Sequence, residues 1–182
     1  WNIVDGQMVV APGTGDIQTR EKFGDAQLHV EWLDPVLPAD KVNQDRGNSG
    51  VFLQDVYEVQ VLDNFENKTY VNGMVGSIYK QFPPLVNAAW AAEHWQTYDI
   101  IFTAPRFAAD GSLASPARLT VLLNGVLVQN NSVLKGGTTY IGGYRDFRFE
   151  QGGLAVIPRL VAAAREEEER RDAPALSGVA AL

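Results

Sequence analysis

The chain has 182 residues, 46% hydrophobic and 20% charged, a balance typical of one globular domain that buries its own core. A formal net charge of −7 argues against a nucleic-acid partner, because phosphates require a basic surface. The absence of cysteine excludes disulfides, thiolate metal sites and a cysteine nucleophile, and no apolar run approaches the roughly 20 residues that a membrane helix needs.

Short alternating segments separated by turn residues occupy most of the chain. Segment 26–33 shows the pattern well, because Leu28, Val30 and Trp32 fall on one side of a strand and polar residues fall on the other. In chain order the predicted strands are 1–10 with a turn at Asp5-Gly6, 17–19, 26–33, 51–53, 56–62, 77–80, 95–103, 117–123 and 126–130.

The segments between these strands carry turn and loop residues. Asn124-Gly125 is the strongest hairpin signal in the chain, and segments 34–48, 63–76 and 104–115 are predicted loops. Repeated short strands without βαβ alternation predict an all-β sandwich of two antiparallel sheets.

The end of the chain has a different pattern. Segment 160–171 predicts a helix, because acidic residues precede basic residues by four positions and Pro158 fits just inside a helix start. The predicted organisation is therefore a sandwich domain over residues 1–157, followed by a short helix and a frayed tail over residues 158–182.

A candidate ligand face lies in segment 46–63, which reads RGNSGVFLQDVYEVQVLD. Strand alternation directs Tyr57, Val59 and Val61 to the core, so Glu58 and Gln60 point to the opposite side. A carboxylate beside a carboxamide can bind hydroxyl groups and exchange protons, which indicates a sugar site. The competing interpretation is an ordinary solvated sheet face.

Several segments together resemble the bacterial 3-keto-disaccharide hydrolase domain. They are RGNSGVFL, YEVQVLD, NKTY, PPLVNA, WQTYDIIFTAPRF, PARLTVLLNGVLVQNN and GGTTY, and the match runs over about residues 1–140. The resemblance implies a concanavalin A-like jelly roll, an oxidised disaccharide or glycoside as substrate, and a periplasmic or secreted location.

The chain departs from this family near its end. Family members finish with a strand that reads roughly L-Q-D-H-G, followed by F-R-N-I-W, and no such sequence follows Tyr144. The segment RDFRFEQGG, residues 145–153, is the candidate replacement for the closing strand.

The resemblance implies cleavage by elimination and hydration. A ketone at C3 acidifies the proton on C2, so the reaction needs a base, an acid at the leaving oxygen and a group that stabilises the enolate. Glu58 is the candidate base or metal ligand, and Asp63 is the candidate acid unless it caps the turn that follows it. An arginine, a lysine or a bound divalent metal could hold the enolate.

Further polar and aromatic residues are candidates for binding substrate, each with an ordinary structural role as the alternative. They are Arg46, Asn48, Gln60, Lys80, Trp95 and Asp99. His29 and Glu31 share one face of their strand and would form an oxygen and nitrogen metal site with Glu58 if the two strands are neighbours. The alternative for this pair is a half-exposed polar face.

Two other functions remain open from sequence. A non-catalytic carbohydrate-binding module would use the same polar face. Many β-glucanases of this fold carry E-x-D-x-x-E on one strand, and the chain has the similar spacing Glu58-x-Gln60-x-x-Asp63. Because an amide replaces the middle carboxylate, the glucanase interpretation is the weaker one.

Overall fold

The computed structural model describes residues 1–139 and the backbone of one further strand, Leu154–Ile157. Within these residues the strands are β1 Asn2–Val4, β2 Gln7–Val9, β3 Ile17–Gln18, β4 Ala26–Leu33, β5 Ser49–Leu53, β6 Tyr57–Val61, β7 Trp95–Thr103, β8 Arg106–Phe107, β9 Leu113–Ser115, β10 Arg118–Leu123, β11 Val126–Val133 and β12 Leu154–Ile157. Short 3-10 helices occupy Asn43–Asp45 and Val71–Gly73.

Two four-stranded antiparallel sheets form the body of the structure. Sheet I has the order β11-β10-β7-β4, and sheet II has the order β3-β12-β5-β6. The hairpins β1-β2 and β8-β9 are separate small sheets. This arrangement confirms the predicted all-β jelly-roll sandwich.

The inward faces of the two sheets form one hydrophobic core. Sheet I contributes residues such as Trp32 and Tyr98, whose ring centroids are 4.5 Å apart, and sheet II contributes residues such as Val59 and Val61. The Tyr98 hydroxyl donates a hydrogen bond across the core to the carbonyl oxygen of Gln60. Because the core fills the space between the sheets, their outer faces lie on opposite sides of the molecule.

Local sequence signals predicted several elements well. The predicted strands 26–33 and 95–103 are confirmed with the same bounds as β4 and β7. Asn124 and Gly125 adopt φ values of 53° and 78° in the turn between β10 and β11, as the Asn-Gly signal predicts.

Other predicted segments had different outcomes. The predicted strand 77–80 is reduced to isolated bridges from Ile78 to Val59 and Phe82, and the predicted loop 104–115 contains the hairpin β8-β9. A closing strand exists as β12, inserted between β3 and β5, directly after the segment proposed for it. Segment 145–153 and the predicted helix 160–171 lie outside the described residues.

The described part of the chain contains no helix long and apolar enough to cross a membrane.

Candidate functional site

Strand β6 presents Glu58 and Gln60 on the outer face of sheet II, as the alternation predicts. Tyr57, Val59 and Val61 are at most 1% exposed and belong to the core. Glu58 is half-buried, whereas Gln60 is covered by loops and is only 1% exposed.

The sheet register places two rows of side chains on this face. Phe52 pairs with Glu58, and Gly50 pairs with Gln60. On the other side of β6, the Val59–Ile78 bridge places Tyr79 opposite Glu58, and the Tyr79 amide donates to the Glu58 carbonyl oxygen at 3.1 Å. Glu58 is therefore flanked by two aromatic residues, with Cβ atoms about 5 Å away on each side.

The Glu58 carboxyl group lies over Gly50. A Cβ atom at Gly50 would be 2.6 Å from Glu58 Oε1, so only glycine leaves room for this side chain. Burial raises the pKa of Glu58 from its ordinary value of 4.5 to about 8. At neutral pH this carboxyl group is therefore mostly protonated.

The hydrogen-bond partners of Gln60 fit a protonated Glu58. Oxygen acceptors flank both ends of the Gln60 amide: Gln44 Oε1 at 3.0 Å at one end, and Glu58 Oε1 and the Ser49 carbonyl oxygen, both at 3.1 Å, at the other. The amide nitrogen can serve only one end, and a protonated Glu58 supplies a donor to the amide oxygen at the other end. When Glu58 ionises, the amide can rotate and donate to it instead.

Gln60 was predicted to grip substrate hydroxyls directly, and its burial corrects that prediction. Its amide contacts the residues around it, including the Gly73 carbonyl oxygen at 3.3 Å. The half-buried Gln44 and Asn48 cover it, and the Asn48 amide nitrogen donates to the Gln44 carbonyl oxygen at 2.9 Å. Asn48 Oδ1 lies 3.5 Å from the Gln60 amide nitrogen, so Asn48 lies beside Gln60, and its role in binding substrate stays a prediction.

A second group of side chains lies beyond Tyr79. The hydroxyl oxygens of Tyr70 and Tyr79 are 2.6 Å apart, and Lys80 Nζ lies 3.6 Å from the Tyr70 ring centroid. Lys80 therefore lies on the same side of the molecule as Glu58, and its role in binding substrate stays a prediction. Sequence reasoning missed Gln44, Phe52, Tyr70 and Tyr79, although Tyr70 ends the NKTY segment and Tyr79 falls in a predicted strand.

Asp63 and Arg46 are not brought to Glu58, which corrects two predictions. Asp63 is 1% exposed, and its carboxylate receives Arg46 Nε at 2.6 Å and the Phe65 amide at 3.3 Å. Asp63 follows the end of β6 at the position that alternation assigns to the inward side. It caps the turn, which was the alternative interpretation, and Arg46 holds it there.

A second buried carboxyl group, Asp34, lies at this end of the sandwich. Trp32 Nε1 donates to Asp34 Oδ2 at 3.2 Å, while Asp34 Oδ1 is buried without a hydrogen-bond partner. Burial, reinforced by the nearby charge of Asp63, raises the pKa of Asp34 to about 7.

Four other predicted site residues lie on the outer face of sheet I, on the opposite side of the molecule. His29 and Glu31 on β4 neighbour Asp99 and Thr97 on β7, not Glu58 on β6. Trp95 and Asp99 share this outer face. The condition for a metal site shared with Glu58 is therefore not met, because β4 pairs with β7 in the other sheet, and Trp95 and Asp99 lie away from Glu58 for the same reason.

The proposed metal ligands do not fit a metal ion. His29 Nδ1 lies 2.6 Å from Asp99 Oδ1, and His29 Nε2 lies 3.4 Å from Glu31 Oε1. Burial alone would lower the pKa of His29, but the hydrogen bonds to Asp99 and Glu31 outweigh it and raise the pKa above 6.5. Across residues 1–139, no three histidine, aspartate or glutamate side chains form a group that could hold a metal ion.

The fold agrees with comparisons to known proteins. The sequence profile of the 3-keto-alpha-glucoside-1,2-lyase-like domain matches residues 1–156. The chain belongs to this family. A search of curated proteins found no match to the chain.

Solved structures from Parabacteroides distasonis ATCC 8503 are similar to this family member. One described as a "putative glycosyl hydrolase" is 46% identical, with a TM-score of 0.81 over 86% of this chain. The chain spans 66% of the length of that protein. A second, with the same description, is 15% identical with a TM-score of 0.58 over 92% of this chain and 83% of its own, and it supports the fold alone.

Proposed function

We propose that this chain cleaves glycosides oxidised at C3, by elimination followed by hydration. Family membership supports a carbohydrate hydrolase. The position of Glu58 supports the more specific proposal that the substrate is a glycoside oxidised at C3. The main support for this proposal is the half-buried Glu58 carboxyl group on the outer face of sheet II, whose pKa burial raises to about 8.

The reaction proceeds in three steps: proton abstraction, elimination and hydration. A base removes the proton from C2, and the electrons of that bond pass through C2 and C3 to the ketone oxygen, which becomes an enolate. The enolate then reforms the ketone, a C1–C2 double bond forms, and the glycosidic oxygen leaves C1 and takes a proton. Water finally adds across the double bond, with its oxygen at C1 and a proton at C2.

Glu58 is suited to the first step. A carboxylate with a pKa of about 8 binds a proton more strongly than an ordinary one, which increases its power as a base. Only about a tenth of Glu58 would be ionised at pH 7, so we expect kcat/KM to rise with pH up to about 8. The Gln60 amide would donate to the ionised form and hold it in place.

The β-glucanase alternative loses support from the geometry. A retaining glycosidase needs two carboxyl groups roughly 5–5.5 Å apart. The second carboxylate of the motif comparison, Asp63, is buried and bound to Arg46.

Turnover of a keto sugar tests the proposal. We expect cleavage of 3-keto-trehalose but not of trehalose. Each assay is run in parallel with and without a chelator. Glu58→Gln should lower kcat/KM at least about a hundredfold, the scale for a lost general base. The matched control Glu31→Gln, on the outer face of sheet I, should retain activity. Binding without turnover would indicate a carbohydrate-binding module, and cleavage of an unoxidised β-glucan would indicate a glucanase.

A further inference from the structure

The paired hydroxyls of Tyr70 and Tyr79 form a hydrogen-bond donor group on the same face as Glu58. Their oxygens are 2.6 Å apart, so one hydroxyl donates to the other. The hydroxyl that accepts keeps its own proton and can donate it to a third atom. Such a pair spreads a negative charge over two O–H donors more effectively than a single phenol does.

The position of this pair is fixed by the backbone around it. The Tyr70 ring packs against Gly73, where an added Cβ would lie 2.0 Å from a ring carbon. The Tyr79 ring is held by the sheet, because its amide donates to the carbonyl oxygen of Glu58. Tyr79, which carries one hydroxyl of the pair, is therefore directly opposite Glu58, and the hydroxyl of Tyr70 is held against that of Tyr79.

Lys80 adds a positive charge to the pair. Its Nζ lies 3.6 Å from the Tyr70 ring centroid and 5.5 Å from the Tyr79 ring centroid. The Lys80 backbone has a φ of 61°, which is uncommon for a residue with a side chain. Asn72 holds this conformation, since its carbonyl oxygen accepts from the Lys80 amide at 2.8 Å and its side chain donates back at 3.3 Å. Strained backbone held in this way often occurs at functional sites.

We propose that the Tyr70–Tyr79 hydroxyl pair binds the C3 oxygen of the substrate and stabilises the enolate that Glu58 creates. This inference rests on the proposed function and names the group that would receive the developing charge. In the first step the negative charge moves from the Glu58 carboxylate to the C3 oxygen. An O–H donor on that oxygen, with an ammonium group nearby, lowers the energy of the charged intermediate.

Two substrates with different leaving groups test this role. The 3-keto derivatives of methyl glucoside and 4-nitrophenyl glucoside share the C2 proton and the ketone, but nitrophenolate leaves without being protonated. Tyr79→Phe and Tyr70→Phe should each lower kcat/KM about a hundredfold on both substrates, because both pass through the same enolate. Thermal unfolding of each variant separates this effect from loss of folded protein.

The outcomes distinguish the possible roles. A loss confined to the methyl glycoside would assign the pair to protonation of the leaving oxygen and would overturn the enolate role. Normal turnover of both substrates by both variants would also overturn it. If the wild-type protein cleaves neither keto sugar, the proposed function itself fails. Gly73→Ala, which displaces the Tyr70 ring but keeps its hydroxyl, should reproduce the loss seen with Tyr70→Phe.

Lys80 would act through Tyr70 as a positioning residue. Lys80→Met should lower kcat/KM about tenfold on both substrates, and Lys80→Arg should restore most of it, because arginine also places a cation over the ring. The matched control is Lys135→Met, which removes another lysine that lies over an aromatic ring, at 4.7 Å from the Phe82 centroid. A loss as large in the control, or no rescue by arginine, would contradict an electrostatic role for Lys80.

Discussion

Glu58→Gln should stabilise the protein as well as inactivate it. Burial raises the pKa of Glu58 to about 8, so the folded state favours the protonated form. In the unfolded state Glu58 has its ordinary pKa of 4.5, so it loses its proton at a lower pH than in the folded state. The stability that Glu58 retains below pH 4.5 is therefore lost as the pH rises towards about 8. Glutamine resembles the protonated form and does not ionise, so it avoids this loss.

The size of the effect follows from the two pKa values. Between pH 5.5 and 8.5 they allow a change of roughly 3 kcal/mol in the free energy of unfolding. Because Glu58 is partly exposed to solvent, we expect about half of this, roughly 1.5 kcal/mol. For a chain of 182 residues that corresponds to about 3–6 °C in Tm.

Urea unfolding of wild type and variant at these two pH values measures the difference. The variant should gain stability over the wild type as the pH rises. An exposed glutamate provides the control, and Glu21→Gln should change stability by less than about 0.5 kcal/mol at both pH values. If the stability difference between wild type and Glu58→Gln is the same at the two pH values, Glu58 ionises like a solvated carboxylate and is not a stronger base than an ordinary glutamate.

Three further substitutions test particular contacts. Gly50→Ala should lower kcat/KM at least about tenfold in a steady-state assay without unfolding the chain, because its Cβ would displace the Glu58 carboxyl group. Asp34→Asn should stabilise the protein by about 1–2 kcal/mol at pH 8 and by about half as much at pH 5.5, because the raised pKa of Asp34 costs stability as the pH rises from its ordinary value of 3.8 towards about 7; urea unfolding measures this. His29→Asn should lower the free energy of unfolding by about 0.5–1 kcal/mol at pH 5.5 and leave it unchanged at pH 9, as measured by urea unfolding. The ion pairs of His29 with Asp99 and Glu31 are present below pH 6.5 and are lost as the pH rises through the raised pKa of His29.

Alternation within a strand was the most reliable guide to this molecule. It predicted the bounds of β4 and β7 and the outward direction of Glu58, because side-chain direction in a strand depends only on local backbone geometry. The Asn124-Gly125 turn was predictable for the same reason, since it depends on the conformations that two adjacent residues can adopt.

Strand neighbours were not predictable in this way. Periodicity shows which face His29 occupies, but the partner of its strand depends on contacts between residues far apart in sequence. The pairing of β4 with β7 therefore separated His29 and Glu31 from Glu58. The burial of Gln60 and the pairing of Tyr70 with Tyr79 depend on loops that fold over the face, which carry no periodic signal.

Isotope incorporation shows whether the C2 proton leaves the sugar during cleavage. Wild-type protein should cleave 3-keto-trehalose in D₂O, and the released keto sugar should be analysed at early times by NMR or mass spectrometry. Product incubated without protein corrects for spontaneous exchange. We expect one deuterium at C2 per cleavage, because hydration returns a solvent proton to that carbon. Product that keeps its original hydrogen at C2 would show direct hydrolysis and would rule out elimination followed by hydration.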